Sequence, residues 1–352
     1  MAVILGIESS CDDTAAAVIA NGKVLANVVA GQEVHRQWGG VIPELASRAH
    51  QENIVPVVAD ALLKSGKSVK DIDAIAFTQG PGLMGSLLVG TSFAKGLSHA
   101  LNKPLIAVNH MQAHILAHFI EDENPGPLPH GTDFGRRARE KPQFPFVCLT
   151  VSGGHTQLVM VRDPFSYEVL GETQDDAAGE AFDKTAKILG LPYPGGPLVD
   201  KNAALGDATK YKFPEAHIPG YGYSFSGLKT SVLYFVRDRV KENPKFVEEN
   251  MNDICASVQA SIIRHLISKL KKVIADTNVE CIALAGGVSA NSGLRKAVHL
   301  LGEEMKVQVC IPPFPYCTDN AAMIAMAGHF LFEKGEFSSL NVSPSARFPI
   351  NG

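Results

Sequence analysis

Residues 3–30, "VILGIESSCDDTAAAVIANGKVLANVVA", and residues 146–171, "FVCLTVSGGHTQLVMVRDPFSYEVLG", follow one plan. Each is an apolar strand, a small polar turn, a second apolar strand, another polar turn and a third strand. Strand length, alternation and turn residues predict two triplets of strands. The residue identities barely match, so what repeats is an architecture rather than a sequence. Working outward, helical spacing runs over about 44–65, 91–101 and 109–121, with the strand "IDAIAFTQGPG" between the first two. Downstream, "ASVQASIIRHLISKLKKVIADT" reads as a long amphipathic helix followed by the buried strand "CIALAGG". A final helix starts near "TDNAAMIAMAGHFLF", where Thr318, Asp319 or Asn320 could cap it. Triplets of strands alternating with helices predict a mixed α/β protein of two similar lobes. Residues 121–143, dominated by proline, glycine and charge, break the pattern and read as an exposed insertion.

Composition narrows the class. The chain has 352 residues, 45% hydrophobic and 19% charged, enough for two domains with sizeable cores. A net charge of −4 means that a nucleic-acid partner would be held by local basic patches, not by global charge. Arg48, Lys229, Arg237, Arg239 and the run at 136–141 are the basic candidates, against a background of ordinary surface charge. Six cysteines stand scattered with no CxxC pair, which predicts free thiols and a reducing, cytoplasmic location. The N-terminal stretch reads as a buried strand, and no apolar run approaches the ~18 residues of a membrane span.

Several turns carry possible chemistry. "VSGGHTQLV" sets Ser152, Gly153 and Gly154 between two strands, where backbone N–H groups could cradle a phosphate or simply close a hairpin. "IESSCDDTAAAV" brings Glu8, Asp12 and Asp13 to the equivalent turn, where they could hold a cation, orient a reacting group or serve the turn alone. "LAGGVSANSGLR" offers the Asn291 amide after a glycine-rich turn, but matches neither GxGxxG nor GxxxxGK[ST]. "GEAFDKTAKILGLPYPGGPLVD" places Asp183 on a helix, and Gly196 and Asp200 in the turn after it. In "NHMQAHILAHF" (109–119), Asn109 caps a helix that stacks His110, His114 and His118 on one face. That spacing fits either a surface histidine pair or two metal ligands, with Asp319 as a third. A zinc protease of the HExxH type is excluded, because Met111 occupies the place of the catalytic glutamate.

Eight stretches occur in order: "GIESSCDDT", "GGVIPELASRAH", "QGPGLMGSLLVG", "NHMQAH", "VSGGHTQLV", "DDAAGEAFDKTAKILGL" with "YPGGP", "GGVSANSGLR" and "CTDNAAMIA". Together they resemble the universal tRNA threonylcarbamoyladenosine transferase family, bacterial type, over nearly the whole chain. The resemblance implies the actin/Hsp70/sugar-kinase fold, two related lobes with mixed sheets flanked by helices around a nucleotide cleft. It implies transfer of a threonylcarbamoyl group from threonylcarbamoyl-AMP to N6 of adenosine-37 in tRNAs reading codons that start with A. It further implies one divalent ion, Fe(2+) or Zn(2+), on His110, His114 and Asp319. Substrate contacts are implied at Thr150, Val151, Ser152, Gly153, Gly154, Asp183, Gly196, Asp200 and Asn291. Implied partners are tRNA, a degenerate paralogue of the same fold and a small P-loop ATPase. Two departures stand out: many relatives have Glu where Gln112 stands, and several have Glu where Asp13 stands. His118 matches no ligand. No general base emerges; Glu8, Asp12 and Asp13 are the candidates. The expected lobes are 1–109, completed by a helix at about 319–335, and 110–318, bearing the metal and nucleotide site and the insertion. Two rivals share the fold, an ATP-dependent small-molecule kinase and a non-catalytic nucleotide-dependent scaffold.

Overall fold

The computed structural model describes residues 2–123 and 140–351. In chain order it forms β1 (Val3–Glu8), β2 (Asp13–Ala20), β3 (Lys23–Gly31), α1 (Pro43–Ser65), β4 (Ala74–Gly80), α2 (Met84–Leu101), β5 (Leu105–Asn109) and α3 (His110–Leu116). Then follow β6 (Phe146–Val151), β7 (Thr156–Asp163), β8 (Ser166–Glu172), α4 (Ala178–Ile188), α5 (Gly195–Ala203), α6 (Ser226–Glu242) and α7 (Phe246–Thr277). The chain closes with β9 (Cys281–Ala285), α8 (Ser292–Met305), β10 (Gln308–Cys310) and α9 (Ala321–Lys334). It divides into two compact units, Met1–Leu128 with Pro312–Gly352, and Pro129–Ile311. Most of the expected insertion, and residues 136–139 of its basic run, lie outside the described residues.

The first unit holds a sheet of order β3-β2-β1-β4-β5. The first three strands form an antiparallel meander, and β4 and β5 run parallel to β1. Alternate residues face opposite cores. Ile4, Ala17, Ile19 and Ala76 pack with Met323 and Ala325 of α9 and with Ala113 of α3. Leu5, Ile7, Val18 and Phe77 pack with Ile54 and Ala61 of α1 and Ala94 of α2. Helices on both faces explain why β1 is buried at every position. At Gly6 a Cβ would lie 2.4 Å from the Ala321 carbonyl oxygen, so only glycine lets α9 begin against β1. That contact brings Asp319, just before α9, to the end of β1.

The second unit repeats the topology, with order β10-β9-β6-β7-β8. Its triplet is antiparallel, and β9 pairs parallel to β6 and β10 parallel to β9. Val147, Leu149 and Leu158 share a core with Phe182 of α4, Ile262 and Leu266 of α7 and Val298 of α8. The architectural duplication read from the strand triplets thus extends to all five strands of each sheet.

Three expectations need correction. The expected boundary between 109 and 110 does not fall there, since residues 110–123 and 312–318 belong to the first unit. The cause is long-range packing: Ala113, Leu116 and Ala117 bury against α9 and the sheet face that it covers. Gly196 and Asp200 lie within α5 rather than in a turn. Asp183 Oδ1 accepts hydrogen bonds from the N–H groups of Gly195 (2.9 Å) and Gly196 (3.0 Å), so a remote carboxylate caps a helix that its own GGP start disfavours. Finally, α7 begins ten residues before the expected 256, with Glu248 and Glu249 in its first turn. Among the described residues no helix is long and apolar enough to cross a membrane.

Candidate functional site

The first group lies wholly in the first unit. The Asn109 side chain caps α3 by accepting from the N–H groups of Met111 and Gln112, which fixes where the histidines point. At the far end of the chain Asn320 caps α9, accepting from Met323 N, and Asp319 precedes it. One ligand atom from each of His110, His114 and Asp319 can be chosen so that all lie within 4.8 Å of one another. Asp319 Oδ1 stands 3.1 Å from His114 Nε2 and 3.4 Å from His110 Nε2. The surface-pair alternative fails, for His110 and His114 are 8% and 2% exposed. His118 stays apart, its Nδ1 donating to the Ile115 carbonyl oxygen at 2.8 Å.

These residues fit a divalent ion. Two imidazoles and a carboxylate form a donor set suited to iron or zinc, with positions left for water or substrate. Behind His110, Glu8 accepts from Nδ1 at 3.0 Å, the carboxylate support that metal-binding imidazoles commonly have. His114 faces the group through Nε2, while its buried Nδ1 has no hydrogen-bond partner among the described residues. Charge agrees with geometry. Burial pushes the His110 imidazole down, yet the Glu8 and Asp319 carboxylates outweigh it and raise it to about 10. Burial likewise raises Asp319 and Glu8, but the neighbouring imidazoles prevail and both end below the usual carboxylate range. A site that holds a proton this firmly between two carboxylates is one where a cation and a proton compete.

The three candidates for a base separate by environment. Glu8 is fully buried, and its oxygens are taken by Ser10 N, by Thr78 Oγ1 at 2.6 Å and by His110. It is placed to hold His110, not to reach a substrate. Asp12 and Asp13 remain partly accessible at the start of β2. Burial, then the negative charges of Asp319, Asp12 and Glu8, raise Asp13 to about 7.

The second group lies in the second unit. Thr150 and Val151 are buried inside β6, so of the five expected turn residues only Ser152, Gly153 and Gly154 reach the surface. Ser152 N donates to His155 O at 2.8 Å, and His155 N donates to Ser152 Oγ at 3.1 Å. A Cβ at Gly153 or Gly154 would meet nothing within 4 Å, so a ligand can approach the backbone here. Asp183 and Gly196 come together through the α5 cap described above. Asp200 and Asn291 also meet, through Gln259 and Ser292, neither of which sequence reasoning selects. Asp200 accepts from Ser292 Oγ (2.8 Å), Ser292 N (2.9 Å) and Gln259 Nε2 (3.1 Å). The Asn291 amide donates to Gln259 Oε1 at 2.7 Å while its oxygen caps α8. Gln259 sits in mid-α7, 59 residues from Asp200, and no local pattern marks it. Ser292 adjoins Asn291, a nearness that is the one available signal. Of the basic candidates, Arg48 pairs with Glu44, Arg237 with Asp238 and Arg239 with Glu242, all exposed.

Two units of one strand order, one carrying a His–His–Asp group whose histidines are buried, define a protein of the actin/Hsp70/sugar-kinase fold class. The fold agrees with the crystal structure of T. kodakarensis HypF, at TM-score 0.61 and 15% identity over 95% of this chain and 48% of that one. A family model described as TsaD, tRNA N6-adenosine threonylcarbamoyltransferase, matches residues 23–136 and 130–326. Proteins of that name from Christiangramia forsetii and Riemerella anatipestifer are 59% and 54% identical to this chain. The matches cover 98% of this chain and 97% of the first, and 99% of this chain and 98% of the second. The chain belongs to the tRNA N6-adenosine threonylcarbamoyltransferase family, whose name gives the reaction as acyl transfer to N6 of a tRNA adenosine. The kinase and scaffold alternatives are not favoured.

Proposed function

We propose that this protein transfers the threonylcarbamoyl group from threonylcarbamoyl-AMP to N6 of adenosine-37, in tRNAs reading codons that start with A, releasing AMP. The observation that carries the reading is the His110–His114–Asp319 group, its histidines buried and its carboxylate partly accessible, in a chain of this family. The N6 amine is a poor nucleophile because its lone pair is delocalised into the ring, so catalysis falls to positioning and to activation of the electrophile. When bound, a divalent ion, Fe(2+) or Zn(2+), supplies Lewis acidity at an oxygen of the donor. His110, His114 and Asp319 hold it, and Glu8 fixes the orientation of the His110 ring. The N–H groups of Gly153 and Gly154, where the backbone is open to approach, offer donors to an anionic oxygen. Asp183, Gly196, Asp200 and Asn291 bind the remainder of the substrate, with Thr150 and Val151 supporting the turn from inside β6. With the Glu8 oxygens occupied, the partly accessible Asp12 and Asp13 are the carboxylates left to take the amine proton. The protein works in the cytoplasm with tRNA, a degenerate paralogue of the same fold and a small P-loop ATPase.

The test is metal analysis and single-turnover transfer in the purified, reconstituted system. His110→Ala should lose bound metal and transfer together. A metal-free variant with wild-type transfer would contradict the assignment.

A further inference from the structure

The C-terminal residues form an ordered segment whose bonds converge on the residues around α3. Ser338 N donates to Leu105 O at 2.8 Å, and Ser338 Oγ accepts from Ala107 N at 3.1 Å, fixing the start of the segment to β5. Farther on, Ser345 N donates to Gln79 O (2.8 Å) and Ala346 O accepts from Gly82 N (3.2 Å). Approach at this point is so close that a Cβ at Gly80, whose φ is +155°, would lie 1.9 Å from Ser345 O. Three carboxamide side chains then each donate to one tail carbonyl: Gln79 to Ser343 O (2.9 Å), Asn109 to Pro349 O (2.9 Å) and Gln112 to Ile350 O (2.7 Å). Ile350 is itself 2% exposed, so the end of the segment is anchored by burial as well. Chain ends without such ties are ordinarily frayed.

Two of these donors belong to the start of α3. Asn109 uses its oxygen to cap the helix and its nitrogen to grip Pro349 O, which leaves its side chain no freedom to rotate. Gln112 lies between His110 and His114. A helix of seven residues is too short to set its own orientation in water and takes it from its contacts. Its apolar side is fixed by α9, whereas its polar start is fixed by the tail. We propose that residues 338–350 act as a strap that positions His110 and His114, with Asn109 and Gln112 as the positioning residues. The inference rests on the reading of those histidines as metal ligands. It also gives the amide at 112 a role, because an ionised glutamate has no hydrogen to donate to Ile350 O.

The experiment uses full-length protein with Gln112→Leu, Ile350→Ser and the double substitution, and Co(II) as the probe. Affinity is measured by chelator competition, and the visible Co(II) spectrum reports ligand geometry. Each single substitution should weaken Co(II) by about tenfold, the low end for residues that orient metal ligands, and shift the spectrum. The double variant should fall short of the sum of the two singles, because one loses the bond to the residue 350 carbonyl, the other the burial of its side chain, and both loosen the same end of the strap. Leu62→Ala, in the core on the opposite face of the sheet, serves as the control: it should lower the melting temperature without altering the Co(II) spectrum. Wild-type affinity and spectrum in Gln112→Leu and Ile350→Ser would overturn the strap while leaving the metal assignment intact. A wild-type protein that fails to bind Co(II) would overturn the metal assignment and the strap with it.

Discussion

Glu8→Gln separates the support of the metal group from the group itself. The carboxylate accepts from Ser10 N through one oxygen, and from Thr78 Oγ1 and His110 Nδ1 through the other. In the glutamine variant the oxygen stays on Ser10 N, and an NH2 group faces Thr78 and His110. The threonine hydroxyl can turn and accept. His110 Nδ1 cannot keep its proton and also accept, so a buried donor is left opposite another donor, at a cost of about 1–3 kcal/mol. The same loss judged as metal affinity is about 10- to 100-fold, or roughly 1.4–2.8 kcal/mol. Two independent routes therefore agree on magnitude. Competition titration with Zn(II) or Co(II) reads the effect directly, and thermal melting of metal-free protein verifies that the fold survives. Thr78→Val is the control: it deletes the hydroxyl's charge-assisted bond to the same oxygen and should lower stability by about 1.5–3 kcal/mol with metal affinity little changed. A Glu8→Gln protein that binds metal within about twofold of wild type would refute the positioning role, since removing the partner that orients a metal-binding imidazole costs at least about tenfold.

Other outcomes follow from the same contacts. In metal-free protein the Asp13 carboxyl, raised from 3.8 to about 7, keeps its proton where the unfolded chain has lost it. Between those values the folded state therefore binds more protons, so this residue makes stability fall as pH rises, levelling off above about 7. Urea titrations from acid to neutral pH should show that slope in wild type relative to Asp13→Asn, and bound metal should move the window to lower pH; a pH-independent difference would contradict it. Gln259→Leu strips one partner from Asp200 and one from Asn291, and should raise KM for the acyl donor more than it lowers kcat, with about 1–3 kcal/mol lost in stability. An unchanged KM would show that the Asp200–Gln259–Asn291 chain serves packing alone.

What could be read in advance was local. The strand triplets are legible because alternation and turn residues are short-range signals, and the repeated five-stranded topology bears out the duplication. The Asn109 cap and the 110/114 spacing are likewise written within a few residues. What escaped depends on distant partners. The lobe boundary is decided by α9 returning to cover α3 some 200 residues later, as the His114–Asp319 separation of 205 residues makes plain. The α5 helix exists where "GGP" argues for a turn because Asp183 satisfies its first amides and Val199 is fully buried. Glu8 looked like a candidate base in its turn, and only the bonds from Thr78 and His110, 70 and 102 residues away, show that its lone pairs are occupied. Gln259 carried no signal at all, being one polar residue on a long amphipathic helix.

The central claim is tested most directly by depleting the protein in its host and measuring threonylcarbamoyladenosine in digested bulk tRNA by mass spectrometry. The account predicts that the nucleoside falls, and that wild-type protein restores it whereas His110→Ala does not. An unchanged level after effective depletion, or full rescue by His110→Ala, would contradict it.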